Sequence, residues 1–412
     1  VSCHRCDTLG VTVTTPNPEH YSRTIVLERY RAVAMGIYES APSTFLLLIL
    51  VRWFHGSPTE KSLIAAAANT GLLFAPLIVF IARRLRWSAP KGIAALLTIA
   101  SLALGGAALA PGKHAFVSLA FLGALVPSAA APLLTTLYQT NYPLTERGRL
   151  YAQNNSLRIA SSIVFGSLAG WLISDRLELY PVLLILFALA VASAAITVAK
   201  IPTHHEPLEI VPPLLSCFKY VQSDPIFRST LLSWMLLGIG NLMMLPIRIE
   251  YLANESYGLT LSEFEIALFI STIPNAARLV GSTMWGRIFD TVNFFSLRII
   301  LNLSFLIGTL GFFASDSWLG LAASAVVLGF TTSGGDVAWS LWVTKFAPPE
   351  RVPDYMAVHV FFTGVRGFIA PAMAFFLLGF VSPLQLSWVS AGLMSLSIIQ
   401  LIPVWRASRQ AA

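Results

Sequence analysis

Charge is scarce in this chain. Of its 412 residues only 11% are Asp, Glu, Lys or Arg, against about 25% in soluble domains. Too little charge remains to cover a water-soluble body of this size. Cysteine is scarcer still, three residues in all, which excludes a disulfide-stapled secreted scaffold. No His-Glu-x-x-His, no Gly-x-Ser-x-Gly and no P-loop occurs, and the seven histidines are scattered. Those absences argue against a membrane-embedded hydrolase and exclude an ATP-driven pump, so no enzyme, metal site or cofactor is expected. What is abundant is apolar: 56% of the residues are hydrophobic. The remaining class is an integral membrane protein.

The apolar residues fall in long runs. Ser62 to Ala82, Gly92 to Gly112 and Leu179 to Ala199 carry no charged side chain, and Gly367 to Trp405 is long enough for two spans broken at Ser382-Pro383. A bilayer core needs roughly 20 apolar residues per helix. Shorter or charge-interrupted runs complete an all-α prediction of twelve helices, near 32–54, 62–82, 92–111, 115–141, 155–174, 179–199, 229–252, 265–288, 297–315, 317–345, 355–381 and 384–405. The runs do not alternate with period two, so a transmembrane barrel is excluded. The first run continues as a full span, which argues against a cleaved leader.

Orientation follows from Lys and Arg. Twenty of the 27 fall on segments of one side and four on the other, with Arg248, Arg278 and Arg366 inside spans. The positive-inside rule then puts both termini in the cytoplasm, most simply across a bacterial plasma membrane. The net charge of +7 is explained by this asymmetry and needs no nucleic acid. The expected division is a polar segment 1–30, a bundle 31–199, a Pro-rich linker 200–228, a second bundle 229–405 and a tail 406–412. Cys3-His4-Arg5-Cys6 is a lone CxxC without the further ligands that zinc needs. His204-His205-Glu206 in the linker reads as solvated chain.

The two halves repeat. Shifted by 204 residues, Gly36 meets Gly240, Pro42 meets Pro246, Arg83 meets Arg287, and Glu146, Arg147 and Tyr151 meet Glu350, Arg351 and Tyr355. Parallel six-helix repeats are the arrangement of many secondary transporters, with the substrate site between halves near mid-depth.

Three segments then carry a family resemblance. Gly281-Ser-Thr-Met-Trp-Gly-Arg-Ile-Phe-Asp290 resembles the loop between helices 8 and 9 of the major facilitator superfamily. Asn141-Tyr-Pro-Leu-Thr-Glu-Arg-Gly-Arg149 resembles that family's link between helices 4 and 5, and Ala347-Pro-Pro-Glu-Arg351 is its counterpart. The resemblance covers about residues 30–405 and implies two pseudo-symmetric six-helix bundles, a cavity lined by helices 1, 4, 7 and 10, and a monomer. It implies that Gly286 and Asp290 form a clamp on the cytoplasmic side, against the start of helix 5 near Arg147 and Arg158; the alternative is a solvated loop acid. The first half departs from the pattern, with Ala82 and Arg86 at the equivalent positions.

Ionisable residues within lipid are costly unless paired or wet, so they mark candidate sites. Glu39 lies about 12 Å beyond Arg31 along a helix, next to Tyr38 and just before Pro42, whose missing N–H favours a bend. It reads either as a proton carrier or as the structural partner of a buried Arg. Arg278 shares a face with Asn275. Asp336 and Trp339 share one, and His359 and Arg366 another, which suggests an Asp336–Arg366 pair. His359 reads as a proton relay or a packing residue. Thr135, Tyr138 and Gln139 form a polar stripe in helix 4, and Asn241, Met244 and Arg248 form one in helix 7. Arg248 and Glu250 also suit snorkelling at a span end. Gly166-x-x-x-Gly170 reads as close helix packing.

The expectation is a secondary transporter that moves a small molecule by alternating access, coupled to protons or another ion. Helix 5 lacks the Gly-Pro and Gly-Gly pattern associated with antiporters in the resembled family. Drug exporter and nutrient or organic-ion importer therefore stay open, and a non-transporting receptor or scaffold is the remaining alternative.

Overall fold

The computed structural model describes residues 18–143, 146–174, 176–202, 218–345, 347 and 351–410. Among these there is no strand. Eleven helices are long and apolar enough to cross a membrane: α1 (Tyr21–Arg52), α2 (Pro58–Ala82), α3 (Ala89–Ala108), α4 (Lys113–Asn141), α5 (Arg147–Ile173), α6 (Leu177–Ala199), α7 (Pro225–Ala253), α9 (Phe294–Phe313), α10 (Trp318–Ser340), α11 (Asp354–Leu377) and α12 (Pro383–Gln410). The twelfth, α8, occupies residues 263–291. Glu263, Glu265, Arg278 and Arg287 dilute its apolar run. The chain is an integral membrane protein.

The starts of several helices are written in local sequence. Asp224 caps α7, its carboxylate accepting from Phe227 N–H at 2.9 Å, with Pro225 in the first turn. Ser262 and Glu265 form a capping box at α8, and Asn293 and Ser317 cap α9 and α10. Each side-chain oxygen satisfies an N–H that has no partner within the helix.

Helices α1–α6 form one bundle and α7–α12 another. In the first, α1 packs on α5 and α6, α2 on α4, and α3 on α4 and α6. In the second the same pairings recur six helices later: α7 on α11 and α12, α8 on α10, and α9 on α10 and α12. The sequence repeat is thus a structural repeat. The halves meet along α2–α11 and α5–α8. Small residues allow that approach: a methyl group on Gly170 would stand 2.7 Å from Ala267 Cβ, and one on Gly367 would collide with Asn69. Below, the membrane side that carries the 200–224 connection is the linker face and its opposite is the far face.

Three boundaries differ from expectation. The first helix starts at Pro18, not near 32, and its candidate span at Tyr21, so residues 21–30, expected as part of a polar tail, belong to a span. Charge-counting hides this, because Glu28 and Arg31 bury together and neutralise each other. α5 starts at Arg147 rather than 155, and α12 runs to Gln410 rather than 405. α4 is two helices, Lys113–Ala129 and Ala131–Asn141, broken ahead of Pro132. The Cys3/Cys6 pair and His204-His205-Glu206 lie outside the described residues.

Candidate functional site

Two prolines shape the centre of the molecule. Pro42 cannot donate to the preceding turn, and α1 widens into a π-turn at Ala41–Phe45 just after Glu39. In α8 a π-turn at Leu268–Thr272 precedes Pro274 and leads to Asn275 and Arg278. Such bulges rotate side chains off the regular helical stripe, here toward the seam between halves.

At mid-depth four charges meet. Glu39 Oε2 lies 3.4 Å from Arg158 Nε of α5, and Glu39 Oε1 lies 3.4 Å from Arg278 Nη1 of α8. Arg278 Nε in turn donates to Asp336 Oδ2 of α10 at 2.7 Å. Two carboxylates balance two guanidiniums, so the group is electrically neutral although it lies within the spans. The side chains of Glu39 and Asp336 remain 26% and 45% exposed, so the network borders a wet space. The Asp336–Arg366 pair expected from helix faces is not formed. Arg366 instead donates to the Trp234 carbonyl and to Thr363 Oγ1.

Beside this network the first bundle lines a partly open cavity of about 320 Å³. Tyr38, Glu39, Tyr138 and Arg158 line it, together with Arg31, Tyr151, Asn154 and Asn155, which sequence reasoning did not single out. Arg31 is held by Glu28 at 2.7 and 2.9 Å and donates to Tyr138 Oη at 2.7 Å. Tyr38 Oη donates to the Gly123 carbonyl at 3.1 Å, and Asn154 Nδ2 to Tyr142 Oη at 2.9 Å. A signal for the missed residues existed: positions 151, 154, 155 and 158 have the i, i+3, i+4, i+7 spacing of one helical face. The segment fails an apolar criterion, which is why its helical period went unread.

The other candidates scatter. Thr135 and Gln139 are exposed and do not line this cavity. Met244 is buried in the core, Asn241 is half-buried, and Asn275 turns back to Ser271 of its own helix at 3.5 Å. Arg248 rests 5.9 Å from the Phe312 ring centre. Glu250 does not snorkel: it is buried and pairs with Lys61 across the halves. Trp339, His359 and Arg366 gather with Trp234 inside the second bundle.

Among the described residues, the inter-half bonds found lie at mid-depth and at the far face. At the far face Arg52 binds Glu263 at 2.5 Å and also donates to the carbonyls of Ala253 and Leu261, and Lys61 binds Glu250 at 2.6 Å. Burial and the Glu250 carboxylate push the neighbouring Tyr257 hydroxyl up to about 12. Nearer mid-depth, Ser167 and Thr272 share a hydrogen bond of 2.8 Å. At the linker face, Asp290 is exposed after the half-buried Gly286. Neither expected partner reaches it: Arg147 donates to the carbonyls of Gln139 and Tyr142, and Arg158 turns to Asn155 and Glu39.

No protein-family model and no curated protein matches the sequence. Solved structures match it over nearly their whole length. One structure of the nucleoside transporter NupG superposes with a TM-score of 0.76 at 13% identity, covering 92% of this chain and 99% of that one. A D-xylose-proton symporter gives 0.70 at 14% identity, covering 92% and 97%. The human organic anion transporter MFSD10 gives 0.66 at 13% identity, covering 93% and 100%. At such identities the likeness concerns the fold, which is the twelve-helix fold of major facilitator superfamily transporters.

Proposed function

We propose that the chain is a secondary transporter, not an enzyme, that carries a small polar molecule through the space between its halves by alternating access. The observation that carries this reading is the charge network. Glu39 of one half is shared between Arg158 of its own half and Arg278 of the other, beside a cavity and between two π-turns. A rocking motion of the halves must make and break the Glu39–Arg278 contact, so whatever neutralises Glu39 favours separation. A proton on Glu39 is the simplest such agent. The fold neighbours fit this reading: they are a nucleoside transporter, a D-xylose-proton symporter and an organic anion transporter.

With the linker face in the cytoplasm, as the distribution of Lys and Arg favours, we read the arrangement as inward-facing, held on the outside by Arg52 and Lys61. Asp290 then has its clamping role only in the opposite state, closed on the cytoplasmic side. The reading implies a plasma-membrane protein acting as a monomer, with both termini cytoplasmic.

Glu39→Gln mimics the protonated acid permanently. In liposomes loaded with candidate nucleosides, sugars or organic anions, it should retain equilibrium exchange while losing uptake driven by a pH gradient. Full gradient-driven uptake by a well-folded Glu39→Gln protein would remove Glu39 from coupling.

A further inference from the structure

A second cluster of chemistry-bearing side chains sits in the linker-face half of the second bundle, and the Glu39 network does not use it. Its centre is Trp234 of α7. The Arg298 guanidinium of α9 stacks on that ring with its carbon 3.5 Å from the ring centre, and the Arg366 guanidinium of α11 lies 5.7 Å from it. The His359 imidazole is 5.2 Å from Trp234 and is walled by Trp339 and Trp342 at 5.3 and 5.2 Å. Arg298, His359 and Arg366 are 0%, 1% and 5% exposed. The packing is shaped for them: a methyl group on Gly238 would collide with the Arg366 side chain.

The cluster has more donors than acceptors: Arg366 reaches the Trp234 carbonyl and Thr363 Oγ1, and other donors go unmatched. All three guanidinium nitrogens of Arg298 lack a hydrogen-bond partner, as do Arg366 Nε and His359 Nε2. Among the described residues no Asp or Glu pairs with any of the three; Asp336, the acid expected to pair with Arg366, is committed to Arg278. A guanidinium does not give up its proton in a protein, so two permanent positive charges are buried side by side. Attraction to an aromatic face recovers only part of the cost of taking such ions out of water, and like charges add to that cost. A buried cation pair of this kind is complete only with a counter-ion.

We propose that Arg298, Arg366 and His359 form an anion-binding site within the second half, separate from the cavity of the first. Its ligand is a small inorganic anion such as chloride, or the anionic group of an organic solute. Trp339 is the half-buried wall of the site, one turn from Asp336 on α10, and donates to Thr363 Oγ1 at 3.3 Å. Through this indole the anion site adjoins the Glu39–Arg278–Asp336 network. The site binds its anion whether or not the chain transports.

The test is thermal unfolding of the purified protein in sodium gluconate, with chloride, bromide, nitrate, benzoate or phenyl phosphate added at constant ionic strength. At least one series should raise the midpoint saturably, by roughly 3–5 °C. A response to the inorganic ions marks a halide-type site; a response to benzoate or phenyl phosphate alone marks the head group of an organic anion. Arg298→Met should abolish the response and melt no lower than the wild type in gluconate. If Arg298→Met does not fold, Arg298→Lys keeps the charge and loses the fork of donors, and should weaken the response at least about tenfold. No stabilisation of the wild type by any of the five anions overturns the proposal, as does an equal response in wild type and Arg298 variants.

Discussion

The two halves share a helix plan but differ in how they hold most of their charge, the Arg278–Asp336 pair of the second half being the exception. In the first, charges come in pairs: Glu28 with Arg31 and Glu39 with Arg158 inside the spans, and Glu60 with Lys113 at the span ends. In the second, Arg248, Arg298 and Arg366 are not held by an acid among the described residues; each lies within 6 Å of an aromatic ring centre instead. The shared pairings of helices follow the repeat, and the charges do not. A scaffold held by apolar packing tolerates either treatment, because helix contacts within each half do not depend on the ionic pairs.

The contrast predicts opposite signs for the same substitution. Arg31→Met strands Glu28, whose side chain is 0% exposed, and should cost about 3–5 kcal/mol, the usual penalty for an orphaned buried ion. Arg298→Met removes a charge that has no partner and should be neutral or stabilising in an anion-free medium. Thermal midpoints of the two variants, measured side by side, decide the matter. Equal destabilisation would erase the difference between the halves.

The links between halves give the next effect. Lys61→Met deletes a far-face pair in which both side chains are nearly buried. It should favour opening there by about 1.4 kcal/mol, a tenfold change in population. Asp290→Asn should leave the far face closed and disfavour closure of the linker face. Spin labels across each face report the two distances. If both variants moved the same face, the assignment of the far face as the lock would be wrong.

The smallest effect concerns the mouth of the first bundle. Glu146, between α4 and α5, accepts from Tyr21 of α1 and from Arg149 at 2.7 Å, and these bonds hold its carboxyl below the usual range. A depressed folded-state value contributes stability that is present above the unfolded value, about 4.3, and is lost as pH falls through the folded one. Hydrogen exchange at the start of α1 should therefore quicken in Glu146→Gln at neutral pH. Wild type and variant should converge well below pH 4. Equal exchange at both pH values would show that this contact does not hold α1.

Much of the architecture was legible in the chain. Length of apolar run, the bilayer thickness and the 204-residue register imply a membrane protein of twelve helices in two copies. These are local properties, decided within a turn or a span. Glu39, Arg278 and Asp336 stood out for the same reason, since each is an ion where lipid penalises ions.

Tertiary structure decided the partners. Helical period shows which residues share a face but not which of several helices at the same depth that face will meet. Asp336 therefore bonds Arg278 of α8 and not Arg366 of α11, and Glu250 meets Lys61 of the other half. Residues 18–31 and 147–154 went unread as membrane helix because they carry charges; Arg31 and Arg149 are each paired with an acid one turn away, and hydropathy counts a charge without seeing its partner. The gathering of Arg298, His359 and Arg366 on one indole has the same origin: three helices bring it together, and no one of their sequences contains it.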